Sequence, residues 1–165
     1  PDSVDICFLP HGNYQKLVVE EMKGKPKTGN IVTEDGEVLG KHNGLFNYTI
    51  GQRKGLGIAY KHPLYVIGFN GERNEVIVGP NERLFTNRMI CKFYNFLDDT
   101  IHKELKAEGK IRYAANPSPC TARILDDDTM EVIFEEPQRA ITPGQSVAFY
   151  NGTQLLGGAV IDRVC

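Results

Sequence analysis

Four cysteines, at positions 7, 91, 120 and 165, are the most reactive side chains in the sequence. No two form a C-x-x-C pair and no histidine stands beside them at ligand spacing, so no metal centre is expected. Cys7 lies in the short run Asp5-Ile6-Cys7-Phe8-Leu9, closed by Pro10. A thiol there reads either as a small buried hydrophobe or as a nucleophile. The second role needs a cation that favours the thiolate; none is adjacent in sequence, and Asp5 would oppose it if close. Cys91 and Cys120 fall in alternating segments and are expected to face a core, and Cys165 ends the chain. No chemistry is assigned to these three.

A second feature is Gly51-Gln52-Arg53-Lys54-Gly55-Leu56-Gly57. Glycines let backbone N–H groups approach an anion, and Arg53 and Lys54 stand among them, so the segment could cradle phosphate. Its spacing fits neither the P-loop nor the dinucleotide fingerprint, and the plainer reading is a tight loop with solvated charges. Lys110, Arg112 and Arg123 form a third group, with Tyr113 supplying a ring. Cations beside an aromatic suit RNA, where phosphate takes the charge and an unstacked base takes the ring face. The histidines, at 11, 42, 62 and 102, have no nucleophile or carboxylate at a recognisable spacing and read as surface or structural.

The elements that must hold these groups are mainly β. A short helix is expected over Tyr14–Glu21, since Tyr14, Leu17 and Val18 share one face, and Gly24 to Gly29 ends it. Asp35-Gly36 marks one hairpin between Asn30 and Lys41, and a second spans Tyr65–Val78 around Asn70-Gly71. Beyond Phe85, short segments alternate with turn signals: Met89–Phe93, Lys110–Tyr113, Cys120–Leu125, Met130–Phe134, Ser146–Tyr150 and Gln154–Ile161. That texture predicts a small antiparallel barrel or sandwich. The expected division is an N-terminal segment over 1–24, a β-rich central domain over 25–86 and a β-barrel over 87–165.

With 41% apolar and 24% charged residues the composition is that of an ordinary globular chain, not a disordered one. Nineteen basic side chains are offset by 21 acidic ones, a net charge of −2, so any grip on nucleic acid must come from a local patch. No apolar run approaches the ~20 residues that span a bilayer. The chain has no secretory signal, so reduced thiols in the cytoplasm are expected. It opens at Pro1 with no initiator Met, as expected of a piece of a longer protein.

Four stretches, in order, resemble the tRNA 2-thiouridylase family. They are Asp2-Ser3-Val4-Asp5-Ile6-Cys7-Phe8-Leu9-Pro10 with Gly12-Asn13-Tyr14; Gly29-Asn30-Ile31-Val32 leading into Tyr48-Thr49-Ile50-Gly51-Gln52-Arg53-Lys54-Gly55-Leu56-Gly57; Lys110-Ile111-Arg112-Tyr113 with Cys120 downstream; and Glu136-Pro137-Gln138-Arg139-Ala140-Ile141-Thr142-Pro143-Gly144-Gln145-Ser146. The resemblance implies a small β-rich domain followed by a barrel like those of translation factors. It implies that Cys7 carries a persulfide whose outer sulfur replaces the 2-oxygen of the wobble uridine. It assigns tRNA contacts to Arg112, Tyr113 and Gln145, and makes Arg53 and Lys54 further candidates. ATP, with Mg, would act in an amino-terminal domain marked by an S-G-G-x-D-S loop, a string this sequence does not contain; no cofactor is expected within the chain itself. The implied partners are tRNA and a protein that delivers persulfide sulfur. The alternative is a non-catalytic RNA-binding module of the same barrel type, which leaves the Ile6-Cys7-Phe8 motif unexplained.

Overall fold

The computed structural model describes Val19 and residues 26–98, 100–101 and 103–165. Cys7, His11, His102 and, apart from Val19, the helix expected over Tyr14–Glu21 lie outside the described residues. The chain divides into two compact units at Pro80/Asn81. As expected, both are built from strands.

In the first unit, β1 (Gly29–Thr33) and β2 (Val38–His42) form the first hairpin, and β3 (Tyr65–Asn70) and β4 (Glu75–Gly79) the second. The hairpins join through a parallel pairing of β1 with β4, giving the order β2-β1-β4-β3. Ile31, Val66, Val76 and Val78 project from one face into a core closed by Leu56 and Leu64 from the long β2–β3 connection. Burying side chains of this size contributes roughly 1.5–3 kcal/mol each, so the connection is anchored by its own apolar residues. His42 is buried and pins the strand ends together. Its Nδ1 accepts from the Gly44 amide at 3.1 Å, and its Nε2 lies 3.0 Å from the Asn74 carbonyl. An amide can only donate and a carbonyl only accept, so the proton sits on Nε2. His42 is thus structural.

The second unit is a closed barrel in the order β10-β5-β8-β7-β6-β9. Its strands are β5 (Phe85–Phe96), β6 (Glu104–Lys110), β7 (Ser118–Ile124), β8 (Thr129–Arg139), β9 (Ser146–Asn151) and β10 (Gln154–Val164). Alternation directs Met89 and Cys91, Cys120 and Ala122, Met130, Val132 and Phe134, Val147 and Phe149, and Ala159 and Ile161 into one core. Closure gives every strand a neighbour on each side. Glu131, pointing outward from β8, is covered by Arg88, whose Nε and Nη2 lie 2.7 and 2.5 Å from its Oε1.

Two sequence expectations need correction. The segment read as a strand over Lys110–Tyr113 is where a strand ends. β6 runs from Glu104 to Lys110, and the chain then turns, with the Ala115 amide donating to the Arg112 carbonyl at 3.1 Å. The inward side of β6 is Leu105, Ala107 and Gly109, too weakly apolar for its alternation to stand out. Nothing larger would fit at 109: a Cβ there would lie 2.7 Å from the Phe134 ring and 2.9 Å from Cys120 Sγ. β8 also continues past Phe134 through Pro137 to Arg139, crossing a register shift against β5 at Thr86/Arg88. Proline is tolerated where the ladder is interrupted in this way.

Candidate nucleic-acid interface

One end of the barrel gathers the residues that the sequence singled out. β6 ends there at Lys110 and pairs with Ala148 of β9, while β7 begins at Ser118 and β8 ends at Arg139. Antiparallel pairing therefore sets the β6–β7 loop (111–117) beside the β8–β9 loop (140–145). The first carries Arg112 and Tyr113, the second Gln145.

The two loops are tied together by one cation. Arg112 Nη2 donates to the Ala140 carbonyl at 2.5 Å, and Thr142 Oγ1 donates to the same oxygen at 2.9 Å. Ala140 is buried, its amide donates to the Leu84 carbonyl at 2.7 Å, and its φ of 55° is left-handed. A non-glycine residue holds that conformation only when its surroundings over-determine it, and these bonds do so. Beyond it, Gly144 takes a φ of 85°, its amide donates to the Ile161 carbonyl, and the Ile161 amide donates to the Gln145 carbonyl, both at 2.8 Å. The backbone of Gln145 is thereby fixed to β10 while its side chain stays exposed.

Tyr113 is 79% exposed, and Lys110 Nζ stands 5.4 Å from its ring centre. The rim thus presents an exposed aromatic ring, an ammonium beside it, a braced guanidinium and an exposed amide. Arginine has five N–H donors, so the bond to Ala140 leaves Arg112 charged and able to donate outward. This combination can stack an unpaired base, bind phosphate and read a base edge. Arg123 does not join it. It lies opposite Glu104 at the far end of the β6–β7 pairing and bonds that carboxylate at 2.8 Å. Placing Lys110–Tyr113 in a strand made Arg123 seem a neighbour, and the true register separates them. Ala140 and Thr142 were not singled out in the sequence, although both lie inside the Pro137–Gln145 string.

Arg53 and Lys54 belong to the first unit, in the connection between β2 and β3. Gln52 organises that loop. Its Oε1 accepts from the Thr49 amide and its Nε2 donates to the Lys54 carbonyl, both at 3.0 Å. The Gly51 amide donates to the Val66 carbonyl and the Val66 amide to the Gln52 carbonyl, at 2.8 and 2.9 Å, stitching the loop to β3. Both cations are exposed, and among the described residues neither forms a salt bridge.

The remaining thiols are unreactive or peripheral. Burial, above all, pushes the thiols of Cys91 and Cys120 up to about 12. They are free, as is the exposed Cys165, and among the described residues no group of histidine, cysteine, aspartate or glutamate could hold a metal ion.

Comparison with known proteins divides the chain as the structure does. The family model for the tRNA methyl transferase PRC-barrel domain matches residues 17–80, and that for the aminomethyltransferase β-barrel domain matches residues 86–161. Over 164 residues, 99% of the chain, it is 44% identical to the tRNA-specific 2-thiouridylase MnmA of Clostridioides difficile strain 630. The chain belongs to the tRNA 2-thiouridylase family. It is also 45% identical to the MnmA of Carboxydothermus hydrogenoformans and 46% identical to MnmA 1 of Clostridium tetani, again over 99% of its length. In each case it spans 45% of the relative, so it covers about half the length of these thiouridylases. Among the described residues no helix is long and apolar enough to cross a membrane.

Proposed function

We propose that this chain is the tRNA-gripping and sulfur-carrying part of a tRNA 2-thiouridylase. The observation that carries the reading is the barrel rim. Arg112, Tyr113 and Gln145 come from two distant stretches of sequence, yet they sit on adjacent loops tied by the Arg112–Ala140 bond. A stacking ring and fixed polar groups at one edge suit an RNA whose unpaired bases are accessible.

Cys7 is the residue for the sulfur, by its setting in Asp2-Ser3-x-x-Ile6-Cys7-Phe8. The thiols of the barrel core are poor alternatives, because a group held near 12 is almost wholly protonated at neutral pH. In the proposed reaction the outer sulfur of a Cys7 persulfide forms the new bond to C2 of a uridine whose 2-oxygen has been adenylated. AMP leaves with the broken C–O bond, and a second cysteine, outside this chain, takes the inner sulfur into a disulfide. Activation by ATP and Mg belongs to a domain outside these residues. The sequence has no S-G-G-x-D-S string, and its one adjacent glycine pair, Gly157-Gly158, lies within β10, paired on both sides. Such a pair has no free loop to offer a phosphate. A cytoplasmic location and a persulfide-delivering protein partner follow from the same reaction.

The test is Cys7→Ser in the full-length protein, with thiouridine in tRNA measured by retardation in mercury-containing gels and tRNA binding measured in parallel. Thiolation is expected to fall below detection while binding stays within about twofold of the parent, since the hydroxyl holds no transferable sulfur. Undiminished thiouridine would exclude Cys7 as the carrier.

A further inference from the structure

Beside the Gln52-stapled loop, the first unit carries an open groove of about 740 Å³. It is lined by Arg53, Gly55, Leu56 and Gly57 of the loop and by Tyr60, Lys61 and His62. A groove of this size accommodates a small organic ligand or one nucleotide. Its chemistry is specific. The rings of Tyr60 and His62 meet edge to face, 4.9 Å between centres, and Lys61 Nζ stands 5.7 Å from the Tyr60 ring centre. Arg53 lines the same groove, and among the described residues no carboxylate does.

The glycines are shaped for approach by a ligand. Gly57 has a φ of 68°, and a Cβ there would meet no atom within 4 Å. Crowding therefore does not exclude a side chain at 57; the left-handed backbone favours glycine, and the result is bare main chain along the wall. Main chain without side chains, beside Arg53 and Lys61, which form no salt bridge among the described residues, suits phosphate oxygens. Carboxylates fix the direction of entry, because Glu34, Asp35 and Glu37 line an adjacent pocket that also touches Tyr60 and His62. Phosphates can lie on the Arg53 side but are repelled beyond the rings. A continuous duplex backbone would have to cross both fields, whereas one nucleotide need occupy only the first.

We propose that this groove is a second RNA subsite, distinct from the barrel rim, that takes one unpaired nucleotide with its base against the Tyr60–His62 rings and its phosphate between Arg53 and Lys61. The choice of RNA as ligand rests on the tRNA reading of the rim; the geometry does not.

The experiment is an NMR titration of the isotopically labelled chain with a single-stranded hexaribonucleotide, repeated with a duplex of the same sequence. Amide shifts at Gly55 and Gly57 and ring shifts at His62 are expected with the single strand. Lys61→Gln and Tyr60→Leu should each weaken that site roughly tenfold. Lys61 is exposed, so its variant keeps the fold, and leucine at 60 keeps an apolar side chain against the core of the first unit without a ring. Shifts confined to the Arg112–Gln145 rim would overturn the groove and leave the rim reading standing. Shifts in the groove with none at the rim would support the groove and overturn the rim. Equal binding of the duplex would refute the unpaired nucleotide, and no shift anywhere would refute both sites.

Discussion

The barrel rim and the glycine loop solve one problem in two ways. Each must hold an irregular segment rigid while exposing charge, and each does so with a single side chain that bonds to backbone. At the rim the fastener is a cation, Arg112, which braces Ala140 and remains part of the surface it braces. In the first unit it is a neutral amide, Gln52, which bridges Thr49 and Lys54 while the neighbouring cations form no salt bridge among the described residues. Bracing and binding are therefore coupled at the rim and separable at the loop. The frames differ as well. The rim sits on a closed barrel, while the loop hangs on an open four-stranded sheet and is bonded to its outer strand β3.

The largest difference to exploit is alkaline stability. The barrel core contains two thiols raised from an ordinary value of 9.0 to about 12, whereas the described core of the first unit contains none. A group whose pKa is raised on folding binds its proton more tightly in the native state. Between pH 9 and 12 the unfolded chain loses these protons first, so the native state binds more of them and stability falls as pH rises. The contribution is fully present below pH 9. Denaturant unfolding followed by amide signals from each unit should show the barrel weakening steeply across that window. Cys91→Ala with Cys120→Ala should flatten the slope, though it lowers stability at pH 7 by leaving cavities. An unchanged slope would mean that other groups govern alkaline unfolding.

Arg112→Met tests the coupling of bracing to binding. Losing a charged hydrogen bond of this kind costs about 1.5–3 kcal/mol, and one phosphate contact fewer should lower the salt slope of tRNA binding by about one. Both should appear together: faster amide exchange at Gln145, and tRNA binding weakened about tenfold or more with the shallower slope. Arg112→Lys should keep most of the slope yet lose the loop protection, because a single ammonium does not reproduce the guanidinium fork. Weakened binding with normal exchange at Gln145 would make Arg112 a contact alone, and the contrast with Gln52 would vanish.

How much of this was legible in the sequence depended on the kind of signal. Both hairpins of the first unit could be read from Asp35-Gly36 and Asn70-Gly71, because turn chemistry is local. Strands β7, β9 and β10 could be read from the alternation of large apolar residues. β6 could not, because its inward residues shrink to Ala107 and Gly109 to make room for the Phe134 ring, a constraint imposed by a strand far along the chain. That error carried into the site by placing Arg123 beside Arg112. The identities of Arg112, Tyr113 and Gln145 came from motif resemblance, but nothing local marks Arg112 as a brace. That role needs the left-handed turn at Ala140, a conformation for which alanine carries no sequence signal.

The smallest expected effect lies at the other fastener. Gln52→Ala removes the side-chain bonds to the Thr49 amide and the Lys54 carbonyl, each worth about 1 kcal/mol net, and both groups are exposed enough for water to replace them. The backbone bonds from Gly51 and Gln52 to Val66 remain, and Leu56 still fills the core, so the loop should stay attached but locally looser. Amide exchange at Thr49 should accelerate several-fold while exchange at Gln145 stays unchanged. Since Arg53 and Lys54 do not hold their own loop, the salt slope of RNA binding should be preserved. A lost slope in Gln52→Ala would show that the amide positions those charges after all, and that bracing and binding are coupled in both units.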